Sequence, residues 1–104
     1  MAKLNILLVC GSGASSGFMA ANIRKAAAER DMDVSIVARG ESEIENYIDD
    51  IEVLMVGPHL AYILEEVSDF IGDAPIKVIL MKPEYYSTLD GNKAIDHLLE
   101  EMKK

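Results

Sequence analysis

Four short apolar runs, separated by stretches with helical spacing, constrain the fold more than any other feature of this chain. They span residues 4–9, 34–38, 53–56 and 76–80. Because they are mostly apolar rather than regularly alternating, they are typical of strands buried on both faces of a parallel sheet. The segments between and after them, 18–30, 41–48, 59–71 and 90–102, predict helices, and an irregular loop is expected at 83–89. On the last helix, Leu98, Leu99 and Met102 are expected to face inward. The pattern therefore predicts an α/β fold, a four-stranded parallel sheet with helices on both faces.

Chain length and crossover handedness narrow the topology. The 104 residues are enough for one domain, spanning 1–104. Right-handed crossovers favour the strand order 2-1-3-4, a small relative of the flavodoxin type. Ligands of such sheets bind at the carboxyl ends of the strands where the chain reverses direction, here strands one and three. The predicted site therefore lies between loops 10–17 and 57–62.

Cys10, the only cysteine, sits where the first strand ends and a loop of small residues begins. A helix is predicted from about Phe18, and the backbone N–H groups at such a helix start bind phosphate. The same field favours a thiolate. We therefore predict Cys10 as a nucleophile, and we expect Ser15 or Ser16 to cap the helix. The predicted phosphate-binding loop comprises Gly11, Ser12, Gly13, Ala14, Ser15 and Ser16.

The loop departs from three known phosphate-binding patterns. A Walker A loop needs Gly-Lys-Ser/Thr, and no lysine lies between Lys3 and Lys25. A dinucleotide-binding G-x-G-x-x-G is missed by one residue, since the third glycine is Gly17. A low-molecular-weight tyrosine phosphatase shares the predicted layout but uses C-x5-R, and Ser16 stands where that arginine would clamp the phosphate. Such a phosphatase, or an arsenate-reductase-like thiol enzyme, remains the alternative enzyme class, and a binding module with an inert cysteine the non-enzymatic one.

Charge and hydropathy limit the partners. The net charge of −8 argues against nucleic acid and against anionic lipid. No apolar stretch approaches the roughly 20 residues that a membrane-spanning helix needs. The apolar run near the start of the chain is too short for the apolar region of a signal peptide. We therefore expect a cytoplasmic protein without direct membrane insertion, using neither a metal nor another cofactor. Any phosphate site must rely on local backbone dipoles, because the global field opposes it.

Three segments together resemble a known family. They are ILLVCGSGASSGF at 6–18, VGPHLAYIL at 56–64 and YYSTLDG at 85–91. The chain resembles, over roughly residues 4–102, the IIB component of the phosphotransferase sugar-uptake system, in its lactose/cellobiose (chitobiose) class. The resemblance implies a phosphotransferase that carries a phosphoryl group on sulfur rather than hydrolysing a phosphate ester.

The same resemblance implies a relay and assigns residues to it. A phosphohistidine of the IIA partner (EIIA) would phosphorylate Cys10, which would pass the group to a β-disaccharide of the cellobiose, chitobiose or lactose class held by membrane-embedded IIC (EIIC). Gly57, Pro58 and His59 would line a neighbouring wall, which Tyr62 would flank. The family often has Gln at the position of His59, where an imidazole could instead donate to the phosphate. We expect a monomer.

The remaining aromatic and histidine residues have other expected roles. Tyr85 and Tyr86 are expected to pack against neighbours or to contact a partner. His97, on the last predicted helix, is expected to be exposed and unrelated to the site.

Overall fold

A four-stranded parallel sheet forms the centre of the protein. The computed structural model describes residues 3–9 and 14–103, with the backbone alone at 14–16. The strands are β1 (Leu4–Val9), β2 (Val34–Arg39), β3 (Val53–Val56) and β4 (Lys77–Leu80). The order of the sheet is β2-β1-β3-β4, as predicted, and every neighbouring pair is parallel. The central strand β1 pairs on both sides, with Ile6 opposite Ile36 of β2 and Val53 of β3.

Helices connect the strands and follow the last one. The helices are α1 (Ala14–Glu29), α2 (Ile44–Tyr47), α3 (Leu64–Ile71), α4 (Pro83–Tyr86) and α5 (Gly91–Met102). Two of them are preceded by 3₁₀ segments, Glu41–Glu43 before α2 and Pro58–Ile63 before α3. No helix within the described residues is long and apolar enough to cross a membrane.

Alternate residues of the buried strands divide the core into two layers. Ile6 and Leu8 of β1 face the side covered by α1 and α5, where Met19, Ile23 and Ile95 are fully buried. The alternate residues, such as Leu7 of β1 and Leu54 of β3, face the side covered by α2 and α3, and their partners there are Ile44, Leu60, Ile63 and Val67. Helices on both faces explain why the strands are mostly apolar.

The start of α1 differs from the prediction. The helix begins at Ala14, one turn before the predicted start at Phe18. Ser15 and Ser16 are therefore its second and third residues, and the prediction that one of them is the N-cap is wrong. Ala14 belongs to the residue type with the highest helix propensity, which allows the helix to begin this early. The same start places the last three residues of the predicted phosphate loop inside the first turn.

The segment after β4 also differs from the prediction. A short helix, α4, replaces the predicted irregular loop at 83–89, and Pro83 occupies its first turn, where a missing N–H costs nothing. On α5, Leu99 and Met102 were expected inward but are 37% and 44% exposed. The buried stripe of α5 is instead Gly91, Ala94, Ile95 and Leu98.

Gly91 allows the closest approach between α1 and α5. A Cβ atom at this position would overlap the carbonyl oxygen of Asn22 and lie 2.9 Å from the backbone nitrogen of Ile23. Nearby, the Asn22 side-chain amide donates to the carbonyl of Leu89 at 2.7 Å. The packing of α5 on α1 therefore requires glycine at the first residue of α5.

We expect Gly91→Ala to lower the free energy of unfolding by about 1–3 kcal/mol, because backbone atoms cannot yield to the added methyl group. This reverses the usual gain from replacing a helical glycine by alanine. Gly17→Ala on α1 is the matched control, since nothing lies within 4 Å of a Cβ there. Urea unfolding of both variants measures the difference, and equal effects would contradict the close approach.

Candidate functional site

The carboxyl ends of β1, β3 and β4 meet at one edge of the sheet. The N–H of Gly57 donates to the carbonyl of Val9 at 2.9 Å, and the N–H of Met81 donates to that of Val56 at 2.9 Å. Gly57 therefore lies directly beside the residue that precedes Cys10. Cys10, Gly11, Ser12 and Gly13 lie outside the described residues, and the predicted roles of these four stay predictions.

The segment after β3 turns sharply and exposes one side chain at this edge. Gly57 precedes Pro58, and the N–H of Leu60 donates back to the Gly57 carbonyl at 2.9 Å. Leu60 is buried in the core, whereas His59 is exposed. The structure thus brings three of the four predicted wall residues, Gly57, Pro58 and His59, to the end of β1. Tyr62, the fourth, is 73% exposed and lies three residues further on, past a kink at Leu60.

A second aromatic residue joins this wall from α4. The rings of His59 and Tyr86 are 5.9 Å apart, tilted by 58°. Together with Pro58, Pro83 and Ser87 they line a shallow groove of about 380 Å³. The sequence interpretation had not placed Tyr86 at the site. The signal that could have done so is topological, because the segment after β4 must leave the same edge as the segments after β1 and β3.

All three arginines are engaged with other parts of the protein. Arg24 donates to the Ile36 carbonyl at 2.7 Å, about 10 Å along the sheet from the end of β1. Arg30 is paired with Asp96 at 2.9 Å. Arg39 ends β2 beside Val9, but its guanidinium donates to the hydroxyl of Tyr47 at 2.9 Å and lies over that ring. No described arginine is therefore directed at the end of β1.

The buried phenol of Tyr85 anchors α4, the helix that also carries Tyr86. The Tyr85 hydroxyl lies 2.6 Å from His97 Nδ1, and His97 Nε2 lies 3.7 Å from a carboxylate oxygen of Glu101. Burial of the phenol raises the pKa of Tyr85 to about 12. The side chain of His97 is only 10% exposed, so the prediction of an exposed residue is wrong. The packing role expected for Tyr85 is confirmed.

The described residues contain no metal-type cluster. Within residues 3–9 and 14–103, no group of three or more His, Asp or Glu side chains is placed to hold a metal ion. Polar groups near this edge of the sheet include the exposed imidazole of His59 and the hydroxyl of Ser87 in the groove beside it. These groups can hold an anion and position a reacting partner.

Comparison with known proteins gives the family. The family described as "PTS system, Lactose/Cellobiose specific IIB subunit" matches residues 5–97. This chain belongs to the lactose/cellobiose-specific IIB subunits of the phosphotransferase system. The IIB subunit is accordingly a phosphotransferase that acts in sugar transport, as the resemblance implied.

Three similar proteins are named as EIIB or EIICB components of phosphotransferase systems. The galactose-specific EIIB component of Lactococcus lactis subsp. cremoris is 29% identical over 100 residues, 91% of this chain and 93% of that protein. The cellobiose-specific EIIB component of Lactococcus lactis subsp. lactis is 28% identical over the same shares of both chains. The lactose-specific EIICB component of Staphylococcus haemolyticus is 26% identical over 98% of this chain, but the match spans only 18% of that protein.

Solved structures agree on the fold of the IIB subunit. The lactose-specific IIB domain of Streptococcus pneumoniae superimposes with a TM-score of 0.81 at 16% identity, over 96% of this chain and 98% of that domain. The cellobiose-specific IIB component of Borrelia burgdorferi gives a TM-score of 0.76 at 23% identity, over 96% and 92%. At these identities the likeness concerns the fold alone.

The buried phenol makes the stability of the IIB subunit depend on alkaline pH. The folded state holds the Tyr85 proton more tightly than the unfolded state, whose ordinary pKa is 10.0. The contribution of the protonated Tyr85 to the free energy of unfolding is fully present below about pH 10 and is lost as the pH rises towards about 12. We expect the free energy of unfolding to fall more steeply across that window in the unmodified protein than in Tyr85→Phe.

Denaturant unfolding at a series of pH values measures this difference, and tyrosinate absorbance of the folded protein should show one late-titrating phenol. Tyr47→Phe is the control, because it also removes one tyrosine. Parallel pH profiles for the unmodified protein and Tyr85→Phe would contradict the assignment.

Proposed function

We propose that this IIB subunit carries a phosphoryl group on Cys10, taking it from a phosphohistidine of EIIA and giving it to a β-disaccharide of the cellobiose, chitobiose or lactose class bound by membrane-embedded EIIC. The main support is positional. In the sequence Cys10 follows Val9, whose carbonyl accepts from the N–H of Gly57 where the strand order reverses direction, and the described arginines are all engaged elsewhere. Relatives named EIICB components, in which the matching region is a small part, support the partnership with EIIC.

Transfer proceeds in two displacements. In the first, the Cys10 thiolate attacks the phosphorus, the S–P bond forms, the P–N bond breaks, and the donor imidazole keeps the electron pair. In the second, a sugar hydroxyl oxygen attacks, the O–P bond forms, the sulfur leaves as thiolate, and the hydroxyl proton passes to solvent. Positioning and charge stabilisation supply most of the catalysis in such transfers.

The phosphate-binding loop Gly11–Ser16 holds the group by its backbone amides and by the first turn of α1. A helix N-terminus stabilises an anion there without a positively charged side chain. An arginine clamp of the phosphatase type would stabilise charge on the phosphoryl group during hydrolysis. The engagement of Arg24, Arg30 and Arg39 elsewhere thus favours a carrier over a hydrolase.

We expect intact-mass measurement to show one added phosphoryl group after incubation with phosphoenolpyruvate, the general phosphotransferase proteins and a cognate EIIA. Cys10→Ser should remove the adduct, because it removes the only thiol. Cys10→Ser combined with Ser68→Cys is the matched control, since it returns a thiol to an exposed position on α3. That variant should also remain unlabelled.

Two results would contradict the carrier. An adduct that persists in Cys10→Ser would place the phosphoryl group on another residue, such as one of the two histidines. Turnover of p-nitrophenyl phosphate without a stable adduct would favour the phosphatase.

His59 is proposed to donate a hydrogen bond to the phosphoryl group from the second wall. Its exposed ring at the carboxyl edge, packed against Tyr86, supports this role. We expect His59→Ala to slow phosphorylation of Cys10 by about 10- to 100-fold, the range for losing a hydrogen bond to a charged group. His59→Gln, which keeps an N–H donor, should retain most of the rate. Quench-flow phosphorylation compares the two, and equal losses would indicate a packing role alone.

A further inference from the structure

A second groove lies on the layer formed by α2 and α3, away from the groove beside His59. It measures about 470 Å³ and has a buried apolar floor of Ile44, Ile63 and Val67. Two exposed aromatic side chains form its walls, Tyr62 at 73% and Phe70 at 42% exposure. Exposed aromatic residues over an apolar floor are typical of interaction sites.

The rim of this groove is acidic. Glu41, Glu45 and Glu66 line it, all three are exposed, and no lysine or arginine lies among the lining residues. Among the described residues, none of these three carboxylates makes a hydrogen bond or an ion pair. Their charge is therefore available to a partner.

Charge decides between the possible occupants. A second copy of this chain, at net charge −8, would bring more carboxylates to an acidic rim, and nucleic acid or anionic lipid would be repelled. A segment that carries lysine or arginine beside an apolar face matches both the rim and the floor. Tyr62 and Phe70 are eight residues apart, about 12 Å along a helix, so two to three turns of a partner helix would span the groove.

We propose that this groove binds a Lys/Arg-rich amphipathic segment on the cytoplasmic side of the membrane-embedded acceptor. This inference rests on the proposed function, in which that acceptor is a membrane protein. Cytoplasmic loops of membrane proteins carry an excess of lysine and arginine, which gives such a segment its charge. Tyr62 follows His59 by three residues, across a kink at Leu60, so the groove begins close to the edge of the sheet at which β3 ends.

The test uses a synthetic amphipathic helical peptide of about 18 residues, long enough to form a helix, with lysine on one face and leucine on the other. Its binding is followed by fluorescence anisotropy and by backbone-amide NMR shifts. We expect saturable binding with the largest shifts at the groove residues. A scrambled peptide of identical composition should bind much more weakly, because it has no continuous apolar face.

Two triple variants with equal charge change separate the groove from the overall field. Glu41→Gln/Glu45→Gln/Glu66→Gln should weaken binding about tenfold, as three exposed charge pairs would. Glu29→Gln/Asp73→Asn/Glu100→Gln removes three exposed carboxylates elsewhere and should change binding by less than about twofold. Phe70→Ser, checked for folding by circular dichroism, should also weaken it.

The proposal is overturned by equal losses in the two triple variants, by equal binding of the scrambled peptide, by shifts centred outside the groove, or by no binding. Its failure is distinguishable from failure of the relay. The groove triple variant should accept phosphate on Cys10 at the normal rate, because its substitutions lie outside the phosphate site. Absence of labelling in the unmodified protein would reject the relay whatever the peptide result.

Discussion

The hydrogen bonding of β1 on both of its edges is the constraint on which the site depends. β1 pairs with β2 from Leu4 to Val9 and with β3 from Ile6 to Val9, and its last four residues are essentially inaccessible to solvent. Because β1 is parallel to both β2 and β3, the register of these two pairings determines which residues lie beside the end of β1. A shift by one residue would exchange the two faces of the strand and bury the wrong side chains. The position of Val9, the residue that precedes Cys10 in the sequence, is therefore fixed by the core.

A second constraint fixes the far side of the wall. Tyr86 reaches His59 only because α4 is anchored beneath it by the contact between Tyr85 and His97. His97 belongs to α5, and α5 is held on α1 by the close approach at Gly91. Leu89, between α4 and α5, has a positive φ of 56°, and its carbonyl accepts from the Asn22 amide. The wall at the end of β1 thus depends on the packing of α1, α4 and α5 against one another.

Hydrophobic pattern was enough to predict the sheet, because strands buried on both faces leave a signal in composition alone. The order 2-1-3-4 followed from crossover handedness, and the positions of Gly57 to His59 followed from the order. The errors concern helices. His97 was expected to be exposed and Leu99 to be buried, because the spacing of apolar residues alone does not give the rotation of α5 about its axis. That rotation is set by the close contact of Gly91 with α1 and by the contact of His97 with Tyr85 of α4. Tyr86 was missed as a wall residue for the same reason, since the contact depends on α4.

Charge distribution links the two surfaces that this protein offers. The groove beside His59 is lined by Pro58, His59, Pro83, Tyr86 and Ser87, none of which is acidic. The second groove, on the layer formed by α2 and α3, has three carboxylates on its rim. A carboxylate near a phosphoryl group would raise the cost of accepting it. Surface charges interact weakly beyond the Debye length of about 8–10 Å, comparable to the length of the acidic groove. The rim carboxylates lie on the 3₁₀ segment before α2, on α2 and on α3, outside the groove that His59 lines. The chain can therefore attract a basic partner at one surface while the lining of the other adds no negative charge beside the phosphate, and a carrier between two proteins needs both properties at once.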